Sequence, residues 1–171
     1  MIVYSVTSLL ETDAPVVLHG VNARGAFGSG VAGAMARAWP SARADYLKAH
    51  AEGRVRLGEV VWGAAGGRTV GHMVTQMDYG RAPGRVYVDY GAVEGCLRRV
   101  ARAAAEGIAG TTVPEGFAAV SLPKVGAGLA GGDWRRIEEI LERECGHLDV
   151  TVHVLTREEI PEWRRSPAPR S

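Results

Sequence analysis

Two glycine-rich runs hold the residues best suited to chemistry. The first is Asn22-Ala-Arg24-Gly25-Ala-Phe27-Gly28-Ser29-Gly30, set between an apolar segment and the start of a helical pattern. Glycine admits positive φ and leaves backbone N–H groups unshielded. A helix start adds partial positive charge, so the same place favours an anion. The second run, Val125-Gly126-Ala-Gly128-Leu129-Ala-Gly131-Gly132, again joins a strand pattern to a helix pattern. One such loop alone reads as an ordinary tight turn; two in equivalent positions, at the same end of a sheet, can close over the two phosphates of one diphosphate. Neither run fits a P-loop, for want of Gly-Lys-Ser/Thr, or a Rossmann fingerprint with its ribose-binding acid.

The elements that must position these loops alternate between strand and helix patterns, which predicts an α/β layered fold. Strands are predicted at Ile2–Val6, Pro15–Val21, Glu59–Trp62, Thr69–Thr75, Phe117–Leu122 and Val150–Leu155, with Gly66-Gly67 turning between the third and fourth. Val16-Val-Leu18 is apolar throughout and suits a central, doubly buried strand. Helices are predicted at Gly30–Trp39, closed by Pro40, at Ser41–Ala51, and at Asp89–Ala105, where Val93, Leu97, Val100 and Ala104 share a face. Trp134, Ile137, Ile140 and Leu141 form one face of a last helix, with Asp133 placed to cap it. Residues 1–156 are expected to form one domain. The Pro- and Arg-rich stretch 157–171 is expected to fray.

A length of 171 residues suits one domain with a real core, and a net charge of +1 advertises no strong field for nucleic acid or an anionic membrane. Cys96 and Cys145 stand far apart, outside metal-ligand spacing, and are expected to stay reduced. His50, His72, His147 and His153 show no ligand spacing either, so no metal and no cofactor are expected. With no signal-peptide pattern and no membrane-length apolar run, a cytoplasmic monomer is expected.

The run His19-Gly-Val-Asn22-Ala-Arg-Gly25-Ala-Phe-Gly28-Ser-Gly30-Val-Ala32, followed by Trp39-Pro40, resembles the first signature of macrodomains. Leu122-Pro123-Lys124-Val-Gly126-Ala-Gly128-Leu129-Ala-Gly131-Gly132-Asp-Trp134 resembles the second, and the intervening Tyr79-Gly80-Arg81 matches too. The resemblance covers residues 1–156. It implies a three-layer α/β/α sandwich with a mixed central sheet, binding ADP-ribose or an ADP-ribosylated protein or nucleic acid at the strand ends. It further implies that Asn22 holds the distal ribose and that Gly28, Ser29, Gly30 and Val31 line the phosphates and that ribose. Gly126, Ala127, Gly128, Leu129 and Ala130 would wrap the pyrophosphate from the other side. Asn22 also reads as a turn-former in its own right.

The branch resembled most holds ADP-ribose-1″-phosphate phosphatases together with terminal and DNA ADP-ribose glycohydrolases. Its glycohydrolases carry a nucleophilic lysine just after the fourth strand, where this chain has Gln76 after Thr75; Ala130 stands where the terminal glycohydrolase has an aspartate. The adenine-binding aspartate is also missing, leaving Ser8 for a weaker contact. His19 matches a functional histidine of the phosphatases, and equally reads as a histidine satisfied within a strand. Asp89 is a candidate base or a helix cap, and Phe27 and Tyr79 are ligand covers or packing groups. The expectation is a hydrolase acting at the anomeric C1″ without a lysine nucleophile, using His19, Asn22 and Asp89; the competing class is an ADP-ribose reader without turnover.

Overall fold

A computed structural model describes residues 1–108, 111, 113 and 115–165. Six strands form one mixed sheet: β1 (Ile2–Val6), β2 (Val16–Asn22), β3 (Val60–Ala65), β4 (Arg68–Gln76), β5 (Ala119–Pro123) and β6 (Asp149–Val154). Their spatial order is β1-β6-β5-β2-β4-β3. All neighbours run parallel except β3 and β4, a hairpin closed by Gly66 and Gly67. Both of those glycines have positive φ (59° and 73°), as a two-residue turn between twisted strands requires.

Helices α1 (Gly30–Ala38), α2 (Pro40–Ala51), α3 (Tyr90–Glu106) and α4 (Trp134–Cys145) cover both faces. The alternation of β2 shows how. Val16 and Leu18 enter one core with Val93, Leu97 and Val100 of α3 and Ile137 and Leu141 of α4. Val17 and Val21 enter the other with Met35 of α1 and Ala42, Tyr46 and Ala49 of α2. A strand buried on both sides is uniformly apolar for this reason. The result is the α/β layering that the alternating patterns predict, with the mixed sheet that the resemblance implies. Cys96 and Cys145 are buried free thiols in the α3/α4 core.

Past residue 156, Arg157–Glu159 and Glu162–Arg164 form 3-10 turns. The second turn docks on Glu138 of α4, a carboxylate only 3% exposed. Trp163 Nε1 (2.6 Å), Arg164 Nε (2.9 Å) and the Tyr4 hydroxyl of β1 (2.6 Å) all donate to it. A buried carboxylate needs such partners, and these lie far away in sequence. The remainder of the expected tail lies outside the described residues.

Candidate functional site

At the carboxyl ends of the parallel strands lies a cleft of about 570 Å³. Its walls are the loop after β2 (Ala26, Gly28–Ala32), the loop after β5 (Lys124–Gly126, Gly128–Ala130) and the chain leaving β4 (Thr75, Gln76, Tyr79–Arg81). Ligands of parallel α/β sheets bind at such a place, beyond the strand ends.

The electrostatics follow from how each helix begins. Asp89 and Asp133 close the starts of α3 and α4 by accepting from Ala92 N (2.8 Å) and Arg135 N (2.9 Å). Ser29, at the start of α1, makes no such bond, and no acidic side chain lies in that first turn. The amides at the start of α1 are therefore open toward the cleft, with the helix dipole behind them. Facing them, Gly126 has φ +73°, and a Cβ there would come within 2.7 Å of Val88. Only glycine lets the second loop turn so tightly beside α3. At Gly28 and Gly128 a Cβ would meet nothing within 4 Å, so both glycines leave open space on the ligand side.

Of the residues singled out in the sequence, Asn22, Gly28–Val31, Tyr79, Gly126, Gly128, Leu129 and Ala130 line this cleft. Ala127, Ser8, Asp89 and His19 do not. Ala127 packs against the core. Ser8 caps the short turn Leu9–Glu11 through a bond from Leu10 N (3.2 Å). Asp89 is the cap of α3. His19 points into the α1/α2 layer, with no exposed surface, and its Nε2 lies 2.6 Å from His72 Nδ1. Burial, and then the neighbouring His72, hold its pKa well below the usual imidazole value. The side chain of Asn22 also turns inward. Its Oδ1 accepts from Arg24 N (2.9 Å) and Ala26 N (3.3 Å), and its Nδ2 donates to Ala26 O (2.8 Å).

Other groups in or beside the cleft were assigned no ligand role from the sequence. Gln76 donates to Asp78 O (2.7 Å), and the Thr75 hydroxyl is buried without a partner among the described residues. Lys124 belongs to the wall, yet its amine donates to Glu159 O (3.2 Å) over the Trp134 ring. Arg24 and Arg85 share the single carboxylate of Asp78, at 2.7 and 3.6 Å. No carboxylate or imidazole stands among the lining residues. Among the described residues, no cluster of three or more histidine, cysteine or acidic side chains is placed to hold a metal. Nor is any described helix long and apolar enough to cross a membrane.

A family model described as "Macro domain" matches residues 18–141. The chain is 29% identical over 146 residues to a protein of Mycobacterium tuberculosis named DNA ADP-ribosyl glycohydrolase; the match covers 82% of this chain and 38% of that one. This chain thus spans well under half the length of that relative. Among solved structures, a macrodomain protein from Streptomyces coelicolor superposes with a TM-score of 0.66 at 28% identity, covering 90% of this chain and 99% of its own. Thermosipho africanus DarTG in complex with ADP-ribose superposes with a TM-score of 0.73 at 14% identity, covering 97% of this chain and 43% of its own.

Proposed function

The chain belongs to the Macro domain family, and from that premise we propose that its cleft binds ADP-ribose and that the protein hydrolyses a substituent from the sugar's anomeric C1″. The observation that carries the reading is the uncapped start of α1 facing the Gly126–Ala130 loop across one cleft. A pyrophosphate held there meets backbone amides and a helix dipole, and needs neither lysine nor metal. The volume of about 570 Å³ falls within the range of small-molecule sites.

The glycohydrolase named among the relatives supports cleavage at C1″. Arg24, Arg81 and Arg85 stand at or beside the cleft with Asp78 as the paired acid, which favours a polyanionic acceptor, a nucleic acid, over a protein. Water is the nucleophile in this reading, because the one cleft lysine has its amine committed to Glu159 O. Its oxygen bonds to C1″ as the link to the acceptor breaks, and the acceptor leaves with a proton. A reader without turnover is the second reading, favoured by the lack of any carboxylate or imidazole on the cleft wall.

The test joins binding to turnover. Calorimetry with ADP-ribose should show binding to the wild type and its loss in Gly128→Val, whose new side chain faces open space and leaves the thermal midpoint unchanged. The wild type is then incubated with ADP-ribosylated single-stranded DNA, ADP-ribosylated protein and ADP-ribose-1″-phosphate. Binding without release from any of the three makes the protein a reader. Equal affinity in wild type and Gly128→Val removes the cleft assignment.

A further inference from the structure

The loop that opens α1 is held from beneath by groups that never line the cleft. Tyr46 of α2 has no exposed surface. Its hydroxyl donates to the carbonyl of Asn22 (2.8 Å) and accepts the amide of Gly25 (3.0 Å), joining both sides of the loop's first turn. Two residues on, Phe27 is buried against the same ring at 5.2 Å between centroids. The rings of His19 and His72 also pack edge-on against Phe27, at 5.5 and 5.7 Å. Beyond this second anchor, Gly28, Ser29 and Gly30 are exposed, and a glycine-rich exposed stretch has many conformations to lose when a ligand orders it.

We propose that Tyr46 is a positioning residue for the phosphate loop: its buried hydroxyl fixes the turn at Asn22–Gly25, and the exposed amides beyond Phe27 are thereby presented already ordered to a diphosphate. The proposal rests on the ADP-ribose reading of the cleft. Removing the hydroxyl alone leaves the buried carbonyl of Asn22 and the half-buried amide of Gly25 without this partner, and the turn is then free to move toward another. The ring of Tyr46 stays useful in either case, since Phe27 and His50 pack on its faces.

Tyr46→Phe is therefore the informative variant, compared with wild type at a temperature where both are folded. ADP-ribose affinity should fall by about tenfold, roughly the effect of one lost preorganising contact. In the ligand-free protein, amide exchange at Gly25 and Ala26 should quicken while the amides of Val70 and Val74 in β4 keep their protection. A lower thermal midpoint with unchanged affinity and unchanged loop exchange would overturn the proposal. If Tyr46→Phe does not fold, Phe27→Leu loosens the same loop through its other anchor, and the same two measurements decide. Wild type that binds no ADP-ribose overturns the binding reading itself, whereas wild type and Tyr46→Phe binding equally well overturns only the role of Tyr46.

Discussion

Two imidazoles packed against each other in the buried α1/α2 layer make the fold sensitive to acid. Burial lowers the pKa of His72 to about 4 and pushes His19 well below its usual range. Each therefore binds fewer protons in the folded chain than in the unfolded one, where titration occurs near ~6.5. The pair therefore costs no stability above that value and a growing amount as the pH drops from about 6.5 toward 4. Thermal midpoints measured across this window should decline for wild type and decline less for the double variant His19→Phe/His72→Phe; equal slopes would remove the pair as the cause. The same burial explains what could not be read in advance. The position of His19 three residues before Asn22 is plain in the sequence, but β2 is apolar on both faces, so no alternation tells which layer the ring enters. Its partner, His72, lies on another strand. The glycines were legible because their lack of a side chain is itself the functional property.

Elements differ in how openly they state their role. Helix α4 was legible through its apolar face and its aspartate cap, and α3 likewise. Helix α2 buries Ala42, Tyr46 and Ala49 on one face, but Ala44, Leu47 and Ala51 spread apolar residues around the rest, so nothing in the sequence marked Tyr46 as the group beneath the loop. Glu138 is the opposite case, a charge on the buried side of an amphipathic helix that reads as an error until Tyr4, Trp163 and Arg164 arrive. Hydrogen bonds to a buried charge are worth more than neutral ones, and orphaning several partners at once is costly. Glu138→Ala should destabilise the protein by about 2–4 kcal/mol in urea titration. It should also expose the bond after Arg157 to trypsin at temperatures where the wild type resists. Resistance equal to wild type would mean that the 3-10 turns are held by something other than this carboxylate.

The α/β architecture was legible as a whole because strand and helix patterns alternate, while the strand order was not, since β1/β2, β2/β3 and β4/β5 are consecutive in the chain but not neighbours in the sheet. Strands β2, β4 and β5, which carry the cleft, sit in the middle of the sheet, and β1 at its edge pairs only with β6. Ile2 lies opposite Val150, and Val6 opposite Val154, so this ladder closes a loop of nearly the whole chain. Such closure carries the largest entropic cost in the molecule and is repaid only once β6 exists. A timetable follows. During synthesis β1 leaves the ribosome first and waits longest for its partner, whereas β2 can meet β4 much earlier. In refolding followed by pulsed hydrogen exchange, the amides of β2 and β4 should be protected before those of β1, and β1 should be the first strand to open in the native state. Simultaneous protection of all six strands would instead mean that the edge is sealed in the same cooperative step as the centre.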